Sequence, residues 1–203
     1  MLAQEKTDFL FMPLVSEFYP KNFQTEVSVK KISKPLCGIS RPIHFAGVAT
    51  VVLKLLNVVV PNILYLGQKD YQQFKVVERM VLDLEMPTCV RMAPIIREKD
   101  GLAMSSRNVY LSELERKEAL VLSRMLSEAK KAIQSGERNM RHLTQVLHSF
   151  LKSAPHGKMD YLEIVDAETL ESVVELKNGQ TVLIALAVTF GKTRLIDNIL
   201  VKA

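Results

Sequence analysis

Cysteine is scarce in this chain. Only Cys37 and Cys89 occur among 203 residues, and each lies within or beside an apolar segment. Two such cysteines indicate neither a disulfide framework nor a zinc cluster. The sequence therefore predicts a reducing compartment, which by default is the cytoplasm.

Long hydrophobic runs are missing as well, although 48% of the residues are hydrophobic. No segment has the unbroken apolar length of a membrane span. Residues 1–8 lack the charged-then-apolar layout of a signal peptide. The sequence thus predicts a soluble protein that can bury a sizeable core, and its length favours two small domains.

Neither sign of charge dominates, since 27 Lys and Arg stand against 22 Asp and Glu, a formal net charge of +5. This excess is too mild and too dispersed to require nucleic acid, and anionic small molecules are an equally good partner. Internal repeats, a Gly-rich phosphate loop of either standard pattern and a Ser-His-Asp arrangement are absent. His142, His148 and His156 have no partners at metal spacing, so no metal ligands are predicted.

Apolar patterning predicts a βαβ unit in the middle of the chain. Residues 62–67 and 87–93 have the composition of buried strands, and residues 71–84 form an amphipathic pattern with helical spacing. Strand, helix and strand within about thirty residues favour parallel strands with a right-handed crossover.

Three further elements are predicted before this unit. The short apolar run at residues 8–13 is typical of a buried strand, and the alternation at residues 25–32 is typical of a half-exposed strand. Residues 45–59 predict a helix with only a narrow polar stripe, which implies burial on most sides.

After residue 110 the pattern changes to helices followed by strands. Ser112 and Glu115 form a capping-box signature, and the expected helices and strands span residues 112–136, 140–151, 159–165, 181–190 and 195–201. The predicted fold is therefore α/β: a partial Rossmann-like nucleotide-binding domain at residues 1–94, then a hinge loop and a small α+β domain at residues 95–203.

The polar loop at residues 94–110 is a candidate anion site. It contains three cations, two adjacent hydroxyls and a conformationally free glycine: Arg97, Lys99, Arg107, Ser105, Ser106 and Gly101. Taken alone, an ordinary solvated turn is the better interpretation, because Glu98 and Asp100 offset two of the cations.

The predicted topology brings this loop close to two other polar segments. In parallel sheets ligands bind beyond the carboxyl ends of the strands, where residues 67–70 leave one strand and the loop leaves the other. Lys69 and Asp70 precede a helix and could bind an anion, or simply cap the helix and face solvent. Arg41 and His44, at the start of the long apolar helix, could bind a carboxylate or phosphate or serve only in capping and packing.

The sequence around these residues resembles the pantothenate synthetase family. The similarity runs in order and spacing through Arg41-Pro-Ile-His-Phe-Ala-Gly-Val48, Gly67-Gln-Lys-Asp-Tyr-Gln-Gln73, Arg97-Glu-Lys-Asp-Gly-Leu-Ala-Met-Ser-Ser-Arg-Asn108, Asp160-Tyr-Leu-Glu-Ile-Val-Asp-Ala167 and Arg194-Leu-Ile-Asp-Asn198. The resemblance implies a ligase that uses ATP and Mg²⁺. Pantoate is first adenylated with release of pyrophosphate, and the amine of β-alanine then displaces AMP.

The resemblance also implies roles for individual residues. The expected catalytic residues are Lys69, Ser105 and Arg107. The expected nucleotide-binding residues are Gly67, Gln68, Lys69, Asp70, Ile96, Met104, Ser105, Ser106 and Arg107. Gln73 is expected to hold pantoate, and Arg41 and His44 match a family motif close to the substrate.

One departure from the family pattern bears on activity. The resemblance implies a preceding strand and a His-x-x-His nucleotide motif, neither of which this sequence contains, and it therefore predicts little or no activity for this chain alone. A homodimer is expected by resemblance. The alternative functions are a non-catalytic nucleotide-binding or dimerising fragment that pairs through residues 25–32, and a nucleic-acid-binding protein.

Overall fold

Two separate β-sheets organise the fold, one parallel and one antiparallel. The computed structural model describes residues 4–203, and none of the helices in that range is long and apolar enough to cross a membrane. The strands are β1 (Ile63–Gly67), β2 (Cys89–Ala93), β3 (Gly157–Asp166), β4 (Thr181–Phe190) and β5 (Thr193–Lys202). The α-helices are α1 (Val15–Phe18), α2 (Cys37–Ser40), α3 (His44–Val59), α4 (Tyr71–Asp83), α5 (Glu113–Ala119), α6 (Val121–Gln134) and α7 (Met140–Phe150). Three short 3₁₀ helices span Gln68–Asp70, Ser106–Tyr110 and Leu151–Ser153.

The parallel sheet pairs β1 with β2 in register from Ile63 opposite Cys89 to Gly67 opposite Ala93. The amphipathic helix α4 connects the two strands and contributes Val76, Val77, Met80 and Val81 to a buried cluster. The predicted βαβ unit is confirmed, with parallel strands. Its geometry places the turn after β1 and the loop after β2 at the same end of the sheet.

Helix α3 packs on α4 through Phe45, Ala49 and Leu56. It ends at Val59, and the next residue, Val60, adopts a left-handed conformation with φ 49° immediately before Pro61. The helix was predicted, but burial on most sides was not found in residues 4–203: Val58 and Val59 are each 56% exposed. Their apolar surface forms an open side of the helix.

The antiparallel sheet has the order β3-β4-β5, and β4 is its central strand. Helices α6 and α7 contribute to the same core as all three strands. As predicted, Ser112 begins α5 with a capping box, in which its hydroxyl accepts from the Glu115 amide while the Glu115 carboxylate accepts from the Ser112 amide. The single long helix predicted there is divided at Leu120 into α5 and α6.

A third buried cluster joins the two sheets. It contains Leu36 and Tyr71 from the first half of the chain and Val165, Leu170, Leu183 and Ala185 from the second. The Tyr71 hydroxyl donates to the carbonyl of Ala167 at 2.9 Å, and burial raises the pKa of Tyr71 to about 12. This cluster fixes α4, and hence the turn that precedes it, against the antiparallel sheet.

Two predicted strands are not observed. Residues 8–13 are coil, with Phe9 93% exposed and Met12 79% exposed, and residues 25–32 are coil and turn. The prediction failed because a short apolar run does not by itself define a strand, which needs a neighbour that accepts and donates its backbone hydrogen bonds. Val27 and Val29 still pack against the core of α3 and α4, so the alternation reflects packing rather than pairing.

Candidate active site

A cleft opens at the carboxyl end of the parallel sheet, facing β5 of the antiparallel sheet. It encloses about 360 Å³, within the range of small-molecule sites. The residues before α3, the turn after β1, the loop before α5 and strand β5 all contribute to it. Polar and charged side chains in its lining include Arg41, His44, Lys69, Asp70, Gln73, Ser105, Ser106, Arg107, Tyr161, Arg194, Asp197 and Asn198.

Lys69 lies in the 3₁₀ turn that connects β1 directly to α4. Its side chain is 22% exposed, and its ammonium group is 3.5 Å from the carboxylate of Asp70. The positive end of α4 lies beside it, because the first backbone amides of a helix have no partner within the helix. The turn therefore combines a partly exposed cation with a favourable local field for an anion.

Ser105, Ser106 and Arg107 line the same cleft from the loop after β2. The Ser105 hydroxyl accepts from the Arg107 amide at 3.3 Å and begins the short 3₁₀ helix. Buried Asn108 anchors the loop by donating to the carbonyl of Ala103 at 3.1 Å and to the carboxylate of Glu98. The predicted convergence of Lys69 and Ser105 on one concave surface is confirmed.

His44 and Arg41 line the cleft at the start of α3. Burial and the nearby guanidinium groups of Arg41 and Arg194 lower the pKa of His44, while Asp70 opposes the shift. The imidazole is therefore neutral at pH 7 and can donate one hydrogen bond and accept another. Gln73 also lines the cleft. The side-chain amide of the preceding residue, Gln72, is already hydrogen-bonded to the backbone of residues 32–37.

The wall formed by the antiparallel sheet was not predicted. Arg194 donates to the Asp160 carboxylate from Nε at 3.0 Å and from Nη2 at 2.7 Å, and its guanidinium lies 5.8 Å from the Tyr161 ring centroid. Burial raises the pKa of Tyr161 to about 12. The signal in the sequence was the occurrence of Asp160 and Arg194 beside apolar residues within segments predicted as strands or at their ends.

Some of the expected ligand-binding residues lie outside the lining of the cleft. Gly67, Gln68, Ile96 and Met104 are not part of it, and the side chains of Ile96 and Met104 are 60% and 54% exposed. Arg97 does not present its charge to the cleft as the sequence suggested, because both terminal nitrogens of its guanidinium bind Asp197. Lys99 is exposed and also lies outside the lining.

The arrangement is suited to binding an anion that carries several negative charges. Arg41, Lys69, Arg107 and Arg194 approach the cleft from four different segments, and Ser105 and Ser106 add hydroxyl donors.

Within residues 4–203 no group of three or more His, Cys, Asp or Glu side chains is placed to bind a metal ion.

Comparison with known proteins gives one consistent family. The model of the pantoate-beta-alanine ligase family matches residues 1–200. The pantothenate synthetase of Caldicellulosiruptor bescii is 50% identical over 203 residues, covering 100% of this chain and 71% of that protein. The pantothenate synthetase of Pseudothermotoga lettingae is 49% identical over 198 residues, covering 98% of this chain and 70% of that protein.

Solved structures agree with the sequence comparison. The crystal structure of pantothenate synthetase from Thermus thermophilus superposes with a TM-score of 0.91 at 43% identity, covering 100% of this chain and 73% of that chain. Pantoate-beta-alanine ligase from Francisella tularensis superposes with a TM-score of 0.75 at 34% identity, covering 98% of this chain and 67% of that chain. The latter protein was crystallised in complex with beta-gamma ATP and beta-alanine.

Proposed function

Because the chain belongs to the pantoate–β-alanine ligase family, we propose that its cleft binds Mg²⁺-ATP and pantoate for the ligation of pantoate with β-alanine. The observation that supports this most directly is the convergence of Lys69, from the turn after β1, with Ser105 and Arg107, from the loop after β2, on one cleft. A triphosphate matches this set because its charge is spread over oxygens that several donors can reach together.

Each candidate residue has a proposed place in this reaction. Lys69, Ser105, Ser106 and Arg107 neutralise and align the phosphates, and Asp70 binds the ribose. The backbone around Gly67, Gln68, Ile96 and Met104 borders the nucleoside at the rim of the cleft, next to the lining residues Lys69 and Ser105. Gln73 holds pantoate, and the neighbouring Arg41 and neutral His44 provide a cation and a hydrogen bond for its carboxylate and hydroxyl groups.

The proposed chemistry has two steps and needs no protein nucleophile. A pantoate carboxylate oxygen bonds to the α-phosphorus of ATP as the bond to pyrophosphate breaks, which gives pantoyl adenylate. The amine of β-alanine then bonds to the acyl carbon, loses a proton and expels AMP. Alignment and charge neutralisation are the main requirements of the first step, and exclusion of water is the main requirement of the second.

Isothermal titration with Mg²⁺-ATP tests the binding half of the proposal. The Lys69→Ala and Arg107→Ala double variant should bind at least about tenfold more weakly than the parent, because each residue contributes a charge-assisted contact to a phosphate. Lys131→Ala is the matched control, since Lys131 is 67% exposed and pairs with Glu128 on α6. Equal affinity of the double variant and the parent would remove the phosphate role of these residues.

Turnover is tested separately by measuring AMP release with pantoate and β-alanine. The sequence has no His-x-x-His motif, and we propose that turnover by this chain is slow or absent while nucleotide binding is retained. Slow AMP release that depends on both pantoate and β-alanine would support the ligase, whereas binding with no detectable AMP release is the result that the alternative of a non-catalytic nucleotide-binding fragment requires. The alternative of strand pairing through residues 25–32 has lost its basis, because no strand forms there.

Two further properties belong to this proposal. The cytoplasm is the proposed location, since a biosynthetic ligase uses ATP and the two cysteines are unpaired. A homodimer is the proposed assembly, and light scattering at several protein concentrations measures it.

A further inference from the structure

We propose that Asp197 and Asn198 are positioning residues that hold the Lys69 turn and the Ser105–Arg107 loop in the relative geometry that ATP requires. We call these two residues, together with Arg97, the β5 clamp. The inference rests on the proposed function, because it assigns these side chains a role in the same cleft. Neither Asp197 nor Asn198 is proposed to touch the reacting atoms.

Asn198 connects β5 to the turn that carries Lys69. Its side-chain nitrogen donates to the carbonyl of Gln68 at 2.9 Å and to the carbonyl of Lys69 at 3.0 Å, and its side-chain oxygen accepts from Gln68 Nε2 at 3.3 Å. The residue is only 4% exposed. Because both side-chain N–H groups and the oxygen are hydrogen-bonded within the protein, the side-chain amide holds the turn in place and is not a ligand-binding group.

Asp197 connects the same strand to the hairpin that leads into Ser105. Its carboxylate accepts from Arg97 Nη1 at 2.7 Å and Nη2 at 3.0 Å, a bidentate geometry. It also accepts from the backbone N–H of Asn198 at 2.8 Å. Arg97 Nη1 in turn donates to the carbonyl of Gly101 at 3.1 Å. The Asp197 side chain is 1% exposed, so water competes weakly with this pair.

The hairpin itself transmits the position of Arg97 to the loop. Glu98 and Leu102 are joined by a backbone hydrogen bond of 2.8 Å, and Ile96 and Met104 by one of 2.9 Å. Gly101 closes the turn with φ 94°, a conformation that favours glycine. Ser105 follows this hairpin directly, so displacement of Arg97 would displace the hydroxyl and guanidinium groups that face the phosphates.

The consequence is that two adjacent residues on one rigid strand determine the separation of the two cationic segments. An ATP site built from independent loops would have to order them at the moment of binding, which weakens affinity. The β5 clamp orders them in advance. The contribution of Lys69 to ATP binding should therefore depend on Asn198, and that of Arg107 on Asp197.

A double-mutant cycle in ATP affinity tests this dependence. Asn198→Asp keeps the shape of the side chain but replaces the donor with an oxygen facing two carbonyls, and Asn198→Ser is a second variant if Asn198→Asp does not fold. Lys69→Ala should weaken ATP binding about tenfold in the parent and less than about threefold in either Asn198 background. The parallel cycle pairs Asp197→Asn with Arg107→Ala.

Thr193→Val is the matched control for a merely structural effect. Thr193 is a buried polar residue of the same strand, 7% exposed, and lies outside the lining of the cleft. In this background Lys69→Ala should still weaken binding about tenfold. If Lys69→Ala weakens binding by the same factor in the parent and in both Asn198 variants, the positioning role is wrong, whatever the variants do to stability.

Hydrogen exchange of the ligand-free protein separates this inference from the proposed function. Asn198→Asp should speed exchange at residues 67–71, and Asp197→Asn should speed it at residues 97–107, with α6 unchanged. Failure of the parent to bind ATP would contradict the proposed function but leave this prediction in force. Unchanged exchange in both segments, or a uniform increase that includes α6, would contradict the β5 clamp.

Discussion

At the scale of single residues, His44 is the group whose titration should be visible in stability. Its pKa lies below the ordinary value of 6.5 because of burial and the cations Arg41 and Arg194, with Asp70 opposing. As the pH falls through 6.5, the unfolded chain binds a proton at this position before the folded chain does, so the free energy of unfolding decreases. Well above pH 6.5 the imidazole is neutral in both the folded and the unfolded chain, so this loss of stability does not occur.

His44→Gln removes this titration. From pH 8 to about pH 5.5 the parent should therefore lose more stability than the variant, measured as the change in urea midpoint. Comparing the two proteins at each pH cancels the contributions that the carboxylates and the other histidines make to stability. An equal loss of stability in both proteins would mean that folding does not lower the pKa of His44.

The residues of the site were predictable to different degrees for a physical reason. Lys69 and Ser105 follow strand ends, and chain order alone places such positions at one edge of a parallel sheet. Arg194, Asp197 and Asn198 reach the cleft from a different sheet, and their approach depends on how the two sheets pack. Arg97 was misassigned because its buried partner, Asp197, is 100 residues away in sequence.

At the scale of elements, the capping box at Ser112 offers a simple test of local stability. Ser112→Ala leaves the Glu115 amide without its partner at the start of α5, and we expect a loss of about 1 kcal/mol in the free energy of unfolding. Ser149→Ala is the control, because the Ser149 hydroxyl is exposed and only donates to the Val146 carbonyl within α7. Urea unfolding of both variants measures the difference, and equal midpoints would exclude a stabilising cap.

Most elements were predictable because their patterns were long and strongly periodic. Helices α3, α4 and α7 and strands β1, β2, β4 and β5 lie close to the predicted ranges. The two failures, at residues 8–13 and 25–32, are short segments whose state depends on a neighbour rather than on their own sequence. The break between α5 and α6 has no marker such as glycine or proline at Leu120, so helical periodicity alone could not show it.

At the scale of the whole molecule, the cluster between the two sheets should control global stability. Leu170 is 1% exposed within it, and Leu170→Ala should lower the free energy of unfolding by about 2–5 kcal/mol through lost burial and a cavity. Leu82→Ala, at a position 62% exposed on α4, should change it by less than about 0.5 kcal/mol. Circular dichroism in urea measures both changes. Similar losses in the free energy of unfolding for the two variants would show that the cluster repacks around the shorter side chain without losing stability.

This cluster also bears on the predicted division near residue 94, which stays a prediction. Tyr71 and Leu36 pack with Leu183 and Ala185 across that position, so the cleft and the shared core depend on the same interface. Sequence patterns identify each sheet by itself but not the surface through which the sheets meet, because that surface is formed by residues from four separate segments.

The position of Tyr161 gives the molecule an intrinsic optical reporter. The chain has five tyrosines and no tryptophan, so its near-ultraviolet emission comes from phenol rings without tryptophan to quench or mask it. Two of these rings, those of Tyr71 and Tyr161, line the cleft, and the Tyr161 ring lies 5.8 Å from the Arg194 guanidinium. Entry of an adenine or a phosphate chain beside that ring would change its emission, which makes occupancy of the cleft measurable without a dye or a label.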